Sequence, residues 1–185
     1  MRIPGHKHLI AASSALLVVA CSAASGEAQQ PMGSNAPSVD ADALAVALED
    51  EYRAEAMYEA VMAAHGEVRP FSNIIQAERR HSERVREEMT RLNIEFSDTN
   101  PFLGKIAAPA TLLEACQQGV DAEIENIALY DEILPTIAYG QVKSTLTDLQ
   151  WASRERHLPA FQRCVDRGGE PGRGSSQGGG HGRSK

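Results

Sequence analysis

The chain has 185 residues, with 18 Lys and Arg against 25 Asp and Glu and a formal net charge of −7. That acidic balance argues against a nucleic-acid partner and gives no positive patch for anionic lipid. The length is one domain's worth, with appended ends.

The chain opens with Arg2 and Lys7, followed by an apolar run from Leu9 to Ala20 and then Cys21. A basic start, a short apolar stretch and small residues make residues 1–20 a secretory signal, too short to span a bilayer as a mature helix. Val18-Val19-Ala20-Cys21 also resembles a bacterial lipobox. That makes Cys21 the expected site of lipidation and this anchor the protein's contact with membrane; cleavage after Ala28 is the alternative. Export is expected either way, to the periplasm or, with Ser22 after the lipidated cysteine, to the outer membrane. Loss of Arg2 and Lys7 leaves 16 basic against 25 acidic residues, a net charge of −9. Residues 21–38, rich in Ala, Ser, Gln, Gly and Pro, read as a flexible tether, and the folded domain as 39–167.

The first helix is expected from about Asp40 to His65, with Ser38 as N-cap and Gly66 just past its end. Leu44, Ala47, Leu48, Ala54, Tyr58, Val61 and Met62 recur at helical spacing, and Glu51 falls inside that stripe. The second helix starts after Pro70, with Ser72 as its expected cap, and runs to about Leu92. Its Glu78 and His81 are three apart, so both project from one face, while Arg79, Arg80, Glu83, Arg84, Arg86 and Glu87 face solvent. Roughly 18 residues, Asn93 to Ala110, then carry Pro101, Gly104 and Pro109. Extended, they could reach almost 60 Å, about twice the length of a 20-residue helix. The linker can therefore cross the bundle and start the third helix, about Thr111 to Leu134, from the far end. The fourth helix is expected from about Gly140 to Arg167, kinked beside His157 by Pro159. Residues 168–185, with eight glycines and His181, read as a disordered tail. The class is all-α: two antiparallel hairpins joined by one long crossover, the arrangement of ferritin-like four-helix bundles.

Four helices each place an acid or an imidazole on the stripe that should be apolar. Glu51 sits among Leu44, Leu48, Tyr58 and Val61; Glu78 and His81 sit among Phe71, Ile74, Val85 and Met89. Glu123 is in register with Leu112, Cys116 and Tyr130, and His157 with Leu146, Leu149, Phe161 and Cys164. A lone ionised group in an apolar core costs several kcal/mol or shifts its pKa. Three carboxylates and two imidazoles converging from four helices compensate one another if a cation sits between them, so a metal is expected. The bland alternatives are a surface Glu78–His81 pair, a core His157 bonded to a carbonyl, and Asp50, Glu55, Glu59 or Glu125 in place of the favoured acids. Tyr58 and Tyr130 are expected to pack in the core near the metal, and a phenol close to iron could also relay electrons.

Cys116 precedes Glu123 by seven residues and Cys164 follows His157 by seven. If Glu123 and His157 meet at one level of an antiparallel pair, both cysteines lie about 10 Å away on the same side. A Cys116–Cys164 disulfide is expected in an oxidising compartment; two unrelated buried thiols are the alternative.

At these residues the chain resembles a bacterial ferritin-like family carrying a domain-of-unknown-function label, family 2202. Glu51-Tyr52-Arg53-Ala54-Glu55-Ala56-Met57-Tyr58 is similar to its E-x-x-A-x-x-x-Y pattern, and Phe71-Ser72-Asn73-Ile74 leading to Glu78 and His81 to its F-x-N-I…E-x-x-H signature. Gly119 through Ile127 resembles its G-x-x-x-E-x-x-D-I, and His157-Leu158-Pro159-Ala160-Phe161 its closing H-L-x-A-F. The resemblance implies a metal-binding four-helix bundle. The chain departs from the two-iron pattern at Arg154, where that pattern wants a Glu, and at Asn126, where the family prefers Asp. Five metal ligands are thus expected (Glu51, Glu78, His81, Glu123 and His157), with Asn126, Arg154, Tyr58 and Tyr130 around them.

The leading expectation is an exported protein that binds one or two iron ions and reacts with dioxygen or peroxide. Manganese and zinc remain open, because ligand type alone does not choose among these metals. The alternatives are a non-catalytic metal-binding module and a structural envelope module. The oligomeric state, the substrate and the electron donor are not legible.

Overall fold

A computed structural model describes residues 38–170. The expected leader 1–20, Cys21, the expected tether up to residue 37 and residues 171–185 of the expected tail, including His181, lie outside the described residues. The elements are α1 (Ser38–His65), α2 (Phe71–Arg91), α3 (Leu112–Ile133), α4 (Gly140–Ala152) and α5 (Leu158–Asp166). A 3-10 turn over Leu134–Thr136 follows α3, and a π-helical turn over Ser153–His157 joins α4 to α5, so these last elements form one rod. No strand occurs among the described residues, and no described helix is long and apolar enough to cross a membrane.

The topology is that of an all-α four-helix bundle with a long crossover. His65 Nε2, at the end of α1, lies 2.9 Å from the Pro109 carbonyl oxygen just before α3. Asp40, at the start of α1, accepts hydrogen bonds from the Ala138 and Tyr139 amides, both 2.8 Å, just before α4. Residues 92–111 therefore run the length of the bundle between the end of α2 and the start of α3. The Tyr52 hydroxyl holds the crossover by donating to the Ser97 carbonyl (2.8 Å), and the Asn100 side chain does so by donating to the Tyr52 carbonyl (2.8 Å).

Helix ends depart from expectation in two places. The first helix already includes Ser38, which is therefore its first described residue rather than its cap. Ser72 lies inside α2, which starts after Pro70 without a side-chain cap. Its amide instead donates to the Val68 carbonyl (3.0 Å). At Pro159 the regular α-helix is interrupted by a π turn, closed by the Leu158 amide bonding to the Ser153 carbonyl. The wider turn takes up the extra residue ahead of the proline, whose missing donor is harmless at the start of α5. At α3, Thr111 caps reciprocally with Glu114, which satisfies two otherwise unpaired amides. Gly66, at φ 84°, ends α1 as expected.

The apolar core falls into two layers. One contains Leu44, Leu48, Val85, Met89, Leu146 and Leu149; the other contains Tyr58, Val61, Phe71, Ile75, Phe161 and the cysteines. Cys116 and Cys164 form the expected disulfide between α3 and α5, with Cα atoms 5.9 Å apart. A Cβ added at Gly119 would fall 2.5 Å from Phe161 Cδ1, so glycine allows α3 and α5 to pack this closely. Phe161 in turn packs tilted against Tyr58 and edge-on against Phe71, with ring centroids 5.3 and 5.2 Å away. Gly119→Ala is expected to destabilise the domain by about 1–3 kcal/mol through forced repacking of that aromatic trio, checked by chemical denaturation.

Candidate metal centre

The five expected ligands come together between the two apolar layers. Glu51 comes from α1, Glu78 and His81 from α2, Glu123 from α3 and His157 from the π turn, and none is more than 8% exposed. They form two overlapping groups, Glu51–Glu78–His81 and Glu78–Glu123–His157, with each group's ligand atoms all within 4.8 Å of one another. Glu78 belongs to both. Its Oε2 lies 3.0 Å from His81 Nδ1 and its Oε1 3.0 Å from His157 Nδ1. Glu51 Oε2 stands 3.2 Å from His81 Nδ1, and Glu123 Oε1 stands 3.5 Å from His157 Nδ1. The two imidazoles stack at 5.5 Å.

Around this set the helices cross over. The Tyr58 hydroxyl of α1 donates to Glu123 Oε1 of α3 (2.8 Å), and the Tyr130 hydroxyl of α3 donates to Glu51 Oε1 of α1 (2.9 Å). Each tyrosine follows its own helix's glutamate by seven residues, so the two halves are related by a pseudo-two-fold arrangement. Both phenols pack in the core as expected, and each also orients a carboxylate. Tyr58→Phe and Tyr130→Phe are each expected to weaken metal binding about 10–100-fold, since hydrogen bonds that orient ligands tune affinity on that scale. Metal titration of each variant checks this.

The electrostatics are those of negative charge collected in a dry place. Burial, reinforced by the charge of Glu78, pushes the Glu51 carboxyl up to about 8. Burial also raises Glu123, with His157 opposing. Glu78 moves the other way: the two imidazoles outweigh its burial and hold it far below the usual carboxylate range. Burial alone would lower both histidines. The facing carboxylates outweigh it, lifting His81 to about 9 and His157 to about 10. Burial, together with the adjacent carboxylates, raises both tyrosines well above their ordinary value, so they stay protonated donors.

The donor set fits a metal ion. Neighbouring ligands on an ion with bonds near 2.1 Å lie about 3 Å apart, close to the His–Glu separations of 3.0 to 3.5 Å. His157 Nδ1 is fully buried with two carboxylate oxygens beside it at 3.0 and 3.5 Å, so a cation that displaces its proton finds three donor atoms already gathered. Three carboxylates and two imidazoles suit iron, manganese or zinc.

One of the four surrounding residues sits where it was not expected. Arg154 turns outward, half-exposed, and pairs with Asp131 at 3.2 Å instead of neutralising a buried acid. The π turn is the cause, because its extra residue rotates the phase so that Ser153 rather than Arg154 is buried beside His157. Asn126 is close to the ligands, but its amide nitrogen donates to Asp50. Of the competing acids, Glu55 and Glu59 pair with Arg79, while Asp50 and the exposed Glu125 line a cavity beside Glu78 and Glu123. Sequence reading missed the inward Ser153 and a cavity of about 220 Å³ between α1 and α3 that reaches Glu78 and Glu123. Ala54 and Ala122 line it, and small residues on two facing helices were the available signal.

The fold is similar to the crystal structure of a hypothetical protein, MJ0754, from Methanococcus jannaschii, with a TM-score of 0.63 and 19% sequence identity, covering 78% of this chain and 87% of that one. At that identity the likeness concerns the fold alone. No protein-family model and no curated protein matches the chain.

Proposed function

We propose that this protein is an exported, ferritin-like metalloprotein of the domain-of-unknown-function family 2202 type. Its centre holds one or two iron ions and reacts with dioxygen or peroxide. The observation that carries this reading is the sharing of Glu78 between two buried carboxylate–imidazole groups. Glu51 and His81 would hold an ion on one side, and Glu123 and His157 on the other. Iron, when bound, supplies the redox chemistry. The chain's own residues orient the ligands through Tyr58 and Tyr130, exclude bulk water through the two apolar layers, and leave one side open to a small cavity. The N-terminal sequence and the Cys116–Cys164 disulfide support an oxidising compartment outside the cytoplasm, in the periplasm or at the outer membrane through lipidated Cys21.

Adding Fe(II) without oxygen and then admitting dioxygen or peroxide is expected to give a new absorption band and iron oxidation. No spectral change with iron bound would remove the oxidase reading. The second reading is a metal-binding module without turnover, holding zinc or manganese; the burial of all five ligands favours it.

A further inference from the structure

Every ligand of the centre is nearly sealed from solvent, so the metal needs a route inward. The cavity between α1 and α3 reaches Glu78 and Glu123, and Asp50, Glu125 and Asn126 also line it. Asn126 is 7% exposed. Its amide nitrogen faces the Asp50 carboxylate, which can only accept, and this fixes the orientation of the side chain. The carbonyl oxygen Oδ1 is then left buried with no partner. A buried carbonyl oxygen beside carboxylates, in a space large enough for a partly hydrated ion, has the chemistry of a hard cation site. Arg53 also lines the cavity, but its guanidinium is engaged by Glu49 and lies over the Phe102 ring. The lining thus remains negative on balance.

We propose that this cavity is the metal's way in. Asp50, Glu125 and the Asn126 carbonyl oxygen take a divalent cation from solvent and pass it to Glu123 and Glu78. Metal therefore enters on the side of His157, while the Glu51–His81 side is filled through the shared Glu78. This route rests on the metal-binding reading above.

The test is stopped-flow uptake of Co(II) by the full chain, followed by its visible absorption, with the final stoichiometry measured in parallel. Asp50→Asn keeps an acceptor for Asn126 and is expected to slow uptake about 10-fold, the scale of electrostatic steering into a cleft. Glu125→Gln, a change at an exposed side chain, is expected to slow it roughly three-fold. Both variants reach wild-type stoichiometry. Glu83→Gln makes the same charge change on exposed α2 surface and leaves the rate unchanged. Wild-type rates in both Asp50→Asn and Glu125→Gln, at full stoichiometry, overturn the route while the metal centre stands. Reduced final stoichiometry in Asp50→Asn makes Asp50 a ligand instead of a relay and also overturns it. A wild-type chain that takes up no Co(II) removes the metal reading and the route with it.

Discussion

Glu78→Ala is expected to abolish stoichiometric metal binding on both sides of the centre, while Glu51→Ala and Glu123→Ala each weaken one side. The reason is geometric: the two oxygens of Glu78 face different histidines, at 3.0 Å each, so one substitution removes a ligand from both groups. Loss of an orienting hydrogen bond alone costs about 10–100-fold in affinity, and loss of the shared ligand is expected to exceed that range. Stability reports the same event. A metal present at 100 times its dissociation constant adds about 2.7 kcal/mol to the folded state, equivalent to a rise of roughly 5–15 °C in melting temperature for a domain of this size. Wild type is expected to show that rise and Glu78→Ala to show none. Titration calorimetry and thermal melts with and without metal check both parts. A Glu78→Ala protein that still binds two ions would break the shared-ligand arrangement.

The second large effect concerns pH. In the metal-free protein, Glu51 is raised from 4.5 to about 8, His81 from 6.5 to about 9 and His157 from 6.5 to about 10. Each group holds its proton more tightly folded than unfolded. The stability each contributes is complete below its unfolded value and is lost as pH rises through its folded value. Glu78, held low, has the opposite sign: its contribution is present above its ordinary 4.5 and is lost only in strong acid. The metal-free protein is therefore expected to weaken as pH rises above about 4.5, where Glu51 begins to count, and more steeply above about 6.5, where both histidines join it. A one-proton difference is worth about 1.4 kcal/mol per pH unit, and two to three groups differ across this window, so going from pH 7 to 9 costs of order 5 kcal/mol. The metal takes the place of those protons. The loaded protein is expected to stay flat over the same window, and loading of all five ligands at pH 7 to release about three protons per chain. Melting curves across pH, and calorimetry in buffers of different ionisation heat, measure the two effects. A metal-free protein as stable at pH 9 as at pH 7 would contradict the charge assignment.

Much of this arrangement was legible in the chain. Glu51, Glu78, His81, Glu123 and His157 announce themselves because each interrupts an apolar stripe, and helical periodicity fixes which face a residue takes. The Cys116–Cys164 pairing follows from the same register, since seven residues on antiparallel helices return to one level. The crossover follows from linker length. What escaped has physical causes as well. A period of 3.6 cannot foresee a π turn, and the turn over Ser153–His157 changes which neighbour of His157 faces inward, which is why Arg154 pairs with Asp131 outside. The cap was misplaced at Ser72 because serine at a helix entrance is a preference that local backbone bonding overrides, here the bond from its amide to the Val68 carbonyl. The exchange of tyrosines between α1 and α3 was present as a repeated Glu and Tyr seven residues apart. Its meaning depends on the interhelical contact, which sequence spacing does not supply. Asn126 stood out as an amide in an acidic position, but its unpaired carbonyl became visible only once Asp50 was seen to take the other end.

Elemental analysis of the full chain, purified without chelator from its own cells, tests the central claim most directly. One to two transition-metal ions per chain, iron foremost, falling to background in Glu78→Ala, is the predicted result. A folded wild-type protein carrying no metal, and binding none when iron, manganese or zinc is offered, would contradict the account.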